Sequence, residues 1–159
     1  MSDYMMDLRK LVGSRPIFQN GASVIVMNEK NQLLMGLRAD NHCWGYAGGS
    51  IELGENLEEA AARELYEEFN ITAKKLDFYG VFSGKELYYK YPNGDEVYNI
   101  DSVFICNTYE GTPKADGQEL TELRWFDLDQ LPDNLSPPLV MILGKFCREF
   151  KPSNNRSTD

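Results

Sequence analysis

Six glutamates and a single base, Arg63, occupy the stretch from Glu55 to Glu68. Glu64, Glu67 and Glu68 are spaced so that a helix would bring them onto neighbouring faces. Clustered carboxylate oxygens suit a hard divalent cation such as Mg2+ or Mn2+, which keeps several waters and also binds phosphate oxygens. The competing reading is a solvated acidic face, where like charges one turn apart cost only about 0.2–0.5 kcal/mol. Position argues against it. Leu57, Ala61, Leu65 and Phe69 form an i, i+4 stripe that should pack on a sheet. With Leu57 set at 0°, Glu64 falls near about 340°, Glu68 near about 20° and Glu67 near about 280°. Arg63 and Glu59 point farther out. Glu64 and Glu68 thus share an edge with the apolar stripe, where unpaired carboxylates lose water and destabilise the fold. One arginine cannot serve them all. A cation can.

The acids must be held by the elements around them. Asn56 before the helix and Glu59 three places later make an arrangement close to a capping box. The helix is expected over 57–69, with Asn70 ending it in a left-handed conformation. Upstream, "SDYMMDLRKLVG" opens as a short helix behind Ser2 or Asp3, stopped by Gly13. "NGASVIVMNEKNQLLMGLRA" reads as two β segments around a polar turn at Asn28 to Asn31, and "NHCWGYAGGS" as a loop. Downstream, "LDFYGVFSG", "ELYYKY", "EVYNIDSVFICNTYE" and "LTELRWFDL" read as strands. Pro92-Asn93-Gly94-Asp95 is expected to join the second to the third as a hairpin. "SPPLVMILGKFCREF" closes as an amphipathic helix begun by Ser136 and two prolines. Strands with one early and one late helix suggest a mixed sheet with helices on its faces. The organisation expected is one domain over 1–150 and a polar tail over 151–159.

Composition narrows the activity. A chain of 159 residues can bury one proper core. The formal net charge of −9 argues against duplex nucleic acid as the main partner, which needs a basic footprint. An acidic protein that handles phosphates needs a cation between them. Three scattered cysteines, Cys43, Cys106 and Cys147, fit reduced thiols rather than a disulfide framework or a zinc cluster. The sequence has no apolar run of signal-peptide or bilayer-spanning length, so the expected location is the cytoplasm, with no membrane partner. His42 is the lone histidine, and a nucleophilic Ser-His or Cys-His system would rest on it alone. Arg38, Lys85, Lys90 and Arg124 are all candidate phosphate contacts that the sequence does not rank. Tyr88, Tyr89, Tyr91 and Tyr98 read mainly as hairpin packing.

The stretch resembles the Nudix box, G-x5-E-x7-R-E-U-x-E-E-x-G-U with U a bulky aliphatic. Here it reads Gly49, Glu55, Arg63-Glu64-Leu65, Glu67-Glu68, Asn70 and Ile71. The one departure in the box is Asn70 in place of glycine. A second lies just outside it, Ala47, where many members carry proline. The resemblance implies an α/β fold, an α/β/α sandwich around a central mixed β-sheet. By the same resemblance Glu64, Glu67 and Glu68 are metal-binding and catalytic carboxylates, and a carbonyl at Gly48 in the Gly48-Gly49 turn adds an oxygen. Glu55 pairs with Arg63 in a structural role. An acid from a later loop usually joins the set; Glu119 is preferred over Glu122, which falls inside an expected strand. The implied reaction is Mg2+- or Mn2+-dependent hydrolysis of the diphosphate bond of a nucleoside diphosphate linked to another group. A metal-acidified water attacks, and Glu64 or Glu119 takes the proton. The partner implied is a small nucleotide.

Many members form homodimers, a state this sequence leaves open. It also leaves open an RNA 5′-end pyrophosphohydrolase and a non-catalytic nucleotide sensor, although sensors commonly lose the glutamates that stand here. Isoprenoid diphosphate isomerisation would need metal histidines that one histidine hardly supplies. Glu86 stands where ADP-ribose hydrolases often carry proline, the coenzyme A signature is absent, and Tyr88 and Tyr89 fall in the window of the dinucleoside polyphosphate tyrosine.

Overall fold

A computed structural model describes residues 3–150. The polar tail expected over 151–159 and the alternative helix start at Ser2 lie outside the described residues. The chain runs α1 (Tyr4–Val12), β1 (Ile17–Val26), β2 (Gln32–Arg38), β3 (Trp44–Gly45), β4 (Ala47–Ser50), α2 (Leu57–Phe69) and β5 (Thr72–Ala73). It continues with β6 (Asp77–Phe82), β7 (Tyr88–Lys90), β8 (Glu96–Cys106), β9 (Tyr109–Glu110), β10 (Leu120–Asp127) and α3 (Val140–Phe150). Short 3-10 turns at Lys85–Leu87 and Pro137–Leu139 precede β7 and α3.

The main sheet is mixed. β1 runs parallel to β8 from Ile17↔Val97 to Val26↔Cys106, while β4 pairs antiparallel with β1. β6 and β7 pair antiparallel with successive parts of β8. A second, antiparallel sheet has the order β10-β2-β3, and β5 pairs with β9. Parallel strands are buried on both faces and read as apolar runs; "SVIV" and "VFIC" are such runs. Two cores result. On one side Ala60, Ala61, Leu65 and Phe69 of α2 pack on Val24, Leu34 and Phe104. On the other, Ile142, Leu143 and Phe146 of α3 pack on Ile25, Met35 and Ile105. The sheets therefore lie between α2 and α3, an α/β/α arrangement around a mixed sheet. Among the described residues, no helix is long and apolar enough to cross a membrane.

Several local expectations change. The segment expected as a loop over 41–50 carries β3 and β4, because its glycines let it approach β1: a Cβ on Gly48 would collide with Ser23 Oγ and the Ala22 carbonyl. Leu57, expected in the packed stripe, is 38% exposed; Ala60, one turn later, is fully buried instead. "ELYYKY" is a strand only from Tyr88, its start wound into a 3-10 turn. The hairpin after it closes at Lys90↔Glu96 with a five-residue loop, where Gly94 takes a φ of 95°.

Candidate active site

The acids meet the glycine-rich strand across the α2–β4 contact. α2 is fixed at both ends. Asn56 accepts from the Glu59 amide at 2.9 Å, and Glu59 accepts from the Asn56 amide at 3.0 Å. At the other end Asn70 adopts φ 59° and ψ 29°, the left-handed conformation in which asparagine substitutes best for glycine. Between them the carboxylates order themselves by burial. Glu68 is 7% exposed, Glu64 is half-buried and Glu67 reaches solvent. Gly49 lies directly under Glu64, and any side chain there would overlap that carboxylate.

Arg63 is not directed outward. It folds back across the helix and donates to both oxygens of Glu55, through Nε at 2.7 Å and Nη2 at 2.8 Å. Nη2 also donates to the Ser50 carbonyl at 3.0 Å, while Nη1 donates to Glu64 at 2.8 Å and Glu67 at 3.3 Å. The guanidinium holds the Glu55 carboxyl below its ordinary range, and Glu55 in turn holds Arg63 firmly charged.

Glu68 has no such relief. Among the described residues it makes no ion pair. Burial, then the charges of Glu64 and Glu119, push it well above the usual carboxylate range; Arg38 and the Gly48 amide pull weakly the other way. Burial raises Glu64 against the opposing pull of Arg63. Glu119, in the loop before β10, is raised by desolvation and by Asp116. Glu64, Glu67, Glu68, Glu119, Gly48 and Gly49 all line one cavity of about 570 Å3, within the rough range of small-molecule sites. Glu122 does not line it and bonds to Arg124 instead.

A second cavity adjoins the first. Gln19, Arg38, Gly48, Gly49, Glu68 and Tyr91 line both. Arg38 therefore separates from the other basic candidates. Its Nε and Nη2 bond Asp40 at 3.0 and 2.9 Å, and the residue lines both cavities. Burial lowers Arg38 but Asp40 more than offsets it, so the guanidinium stays charged. Lys85 and Lys90 are exposed and line neither cavity. Tyr89 and Tyr91 meet edge to face at 4.9 Å and line the second cavity, while Tyr88 and Tyr98 pack on each other elsewhere. His42 lines neither.

A family model for the NUDIX domain matches residues 17–150. The chain belongs to the NUDIX family. It is 30% identical over 132 residues to the ADP-ribose pyrophosphatase of Methanocaldococcus jannaschii, covering 83% of this chain and 70% of that one. It is 27% identical over 139 residues to the oxidized purine nucleoside triphosphate hydrolase of Danio rerio, covering 81% and 84%. The crystal structure of the MutT NUDIX hydrolase from Burkholderia pseudomallei superposes with a TM-score of 0.68 at 24% identity. It covers 82% of this chain and 97% of that one, and bears on the fold alone. The protein is thus a NUDIX hydrolase acting on acid anhydrides, with the fold of the MutT structure.

NUDIX hydrolases generally use divalent metals, and the donor set here fits one. It is made of hard oxygens, and it includes a buried carboxylate with no ion-pair partner, repelled by two neighbours. Among the described residues, no three acids, imidazoles or thiols are yet gathered closely enough to ligate one ion. Arg63 Nη1 bonds both Glu64 and Glu67 in this arrangement.

Sequence reasoning missed two parts of the site. α1 contributes Asp3, Met5, Met6 and Arg9 to the wall of the acidic cavity, which no pattern signalled. Asp101 and Ser136 face the second cavity. Asp101 had a legible signal, an acid in the middle of the apolar strand β8. Ser136 had none beyond its reading as a helix start.

Proposed function

We propose that this NUDIX hydrolase cleaves the diphosphate bond of a nucleotide in which a nucleoside diphosphate is linked to another group, with Mg2+ or Mn2+ held by Glu64, Glu67, Glu68 and Glu119. The observation that carries this reading is the continuity of the two cavities: an acidic one and a largely uncharged one, with Arg38 lining both. A substrate with a polyphosphate end and a neutral end matches that division.

The bound ion supplies neutralised phosphate oxygens and an acidified water. The protein's residues do the rest. Arg38 Nη1 takes a phosphate oxygen at the junction, and Asp40 fixes the plane of its guanidinium. Gly48 and Gly49, lacking side chains, let the phosphates approach the backbone of β4. Arg63 and Glu55 hold Glu64 and the preceding loop in register. Glu119 accepts a proton at a carboxylate oxygen. It is raised above its ordinary range and, unlike Glu64, carries no bond to Arg63.

The test is a product-resolved assay with each metal on nucleoside triphosphates and their oxidised forms, ADP-ribose, nucleotide sugars, dinucleoside polyphosphates and triphosphorylated RNA. Turnover should fall by about a hundredfold or more in Glu68→Gln. Unchanged turnover in that variant removes the metal assignment. Binding without turnover under any divalent ion favours a nucleotide sensor.

A further inference from the structure

The second cavity holds polar groups whose hydrogen-bonding capacity the fold does not exhaust. Ser136 Oγ is buried, lines the cavity and has no hydrogen-bond partner among the described residues. Its backbone is fixed: its amide donates to the Trp44 carbonyl and its carbonyl accepts from the Leu139 amide, at 2.8 and 2.9 Å. Gly45 lies opposite, where even a Cβ would stand no nearer to Oγ than an ordinary contact of 3.5 Å. Buried hydroxyls are nearly always bonded, so one that faces a cavity unpaired calls for a ligand.

Asp101 is the second such group. Deep on β8, it keeps part of its surface open to the cavity. One carboxyl oxygen accepts from Ser23 Oγ at 2.7 Å and the other from Tyr46 Oη at 3.2 Å. No basic residue pairs with it among the described residues. Each oxygen retains acceptor capacity, and the two are spaced for two parallel N–H donors. Each amide side chain nearby spends one N–H on a neighbour in the fold. Asn41 donates to Tyr89 Oη at 2.7 Å, Asn99 to the Leu87 carbonyl at 3.1 Å and Gln19 to Ser50 Oγ at 2.6 Å. The open acceptor capacity of the cavity lies at the two Asp101 oxygens and Ser136 Oγ.

We infer that Asp101 and Ser136 set base specificity by reading a guanine-type edge, in which a ring N–H and an amino N–H stand side by side. This rests on the nucleotide hydrolase reading and deepens it. Among the common bases, guanine offers two adjacent donors to a carboxylate. Adenine and cytosine set an amino group beside a ring acceptor, whose lone pair would face the second oxygen. Ser136 supplies a further hydrogen bond to the same base, from a site with no structural duty.

Native protein, Asp101→Asn and Ser136→Ala are compared on guanosine and inosine triphosphates with Mg2+. Calorimetry of GMP and IMP on the same proteins, and their thermal melts, accompany the kinetics. Inosine lacks only the amino group. The native protein should favour guanosine by about tenfold or more in kcat/KM, and Asp101→Asn should bring that ratio near one. Ser136→Ala should raise KM by about fivefold or more with kcat retained, while its melting temperature stays the same or rises. A merely structural hydroxyl would do the reverse. A native guanosine-to-inosine ratio within about twofold overturns the inference, as does a Ser136→Ala variant that melts lower with KM unchanged. If Asp101→Asn does not fold, the native ratio and Ser136→Ala decide. If no nucleotide is hydrolysed, the hydrolase reading fails separately, and calorimetric preference for GMP over IMP, or its absence, still decides the specificity.

Discussion

Replacing Arg63 by glutamine tests how the acidic helix is tied to the loop before it. The arginine makes five polar contacts: two to Glu55 and one each to Ser50, Glu64 and Glu67. Its side chain is 21% exposed, that of Glu55 18% and that of Glu64 12%. Stripping one partner from a fully buried pair costs about 3–5 kcal/mol, and an exposed pair contributes about 0–1 kcal/mol. This tie lies nearer the buried limit, so Arg63→Gln should cost about 2–4 kcal/mol by urea denaturation of metal-free protein. For a chain of this size that is a fall of about 5–15 °C in Tm. The pH dependence has a definite sign. Arg63 holds Glu55 below its ordinary 4.5 in the folded state. A lowered carboxyl contributes stability above its unfolded pKa and loses it as pH falls through the folded value. The gap between native protein and variant should therefore be flat above about pH 5 and narrow on acidification. A loss below about 0.5 kcal/mol at pH 7, or a gap that widens in acid, refutes the reasoning.

The remaining expectations are simpler. Saturating Mn2+ should raise the native Tm, since binding at a hundred times Kd stabilises by about 2.7 kcal/mol, and Glu68→Gln should lose most of that gain in the same scan. Gly49→Ala should cost only about 1 kcal/mol, because the Glu64 carboxylate can swing aside, yet lower turnover by about tenfold or more, read by paired melts and kinetics. At the end of α2, Asn70→Gly should change stability by less than about 1 kcal/mol, while Asn70→Ala should cost about 1–2 kcal/mol, as alanine is strained at a φ of 59°. Equal losses in the two variants would remove the left-handed cap from the account.

The helix that carries the acids was legible because its signals are local. Asn56 and Glu59 mark its start, Asn70 its end, and the 3.6-residue period separates Glu64 and Glu68 from the more exposed Glu67. What escaped the sequence depends on distant partners. The strands at Trp44–Gly45 and Ala47–Ser50 exist through pairing with β2 and β1, and Gly48, which reads as a loop former, is what close approach to Ser23 requires. Leu57 matched the stripe by angle but stands at the first turn, so Ala60 makes the contact instead. Arg63 looked solvent-directed on a helical wheel because a wheel places Cβ atoms, not the end of a long side chain. Of the basic candidates, only the fold could single out Arg38, since its value lies in standing where two cavities meet.

Among the described residues two buried polar groups lack a partner, Glu68 an ion pair and Ser136 a hydrogen bond, and both line the cavities where a substrate would touch them. Glu68 is a carboxylate only 7% exposed, and the Ser136 hydroxyl is buried. Either would be selected against in a site whose only duty was stability, for an apolar residue of similar size would relieve the cost. Glu68 stands where the two cavities meet and Ser136 lines the second alone, and what each lacks differs. Glu68 lacks positive charge, whereas Ser136 lacks a neutral polar partner. A lone metal ion would satisfy the first and not the second; a bare nucleoside would satisfy the second and not the first. A metal-bound polyphosphate joined to a base satisfies both, with Arg38 positioned between them.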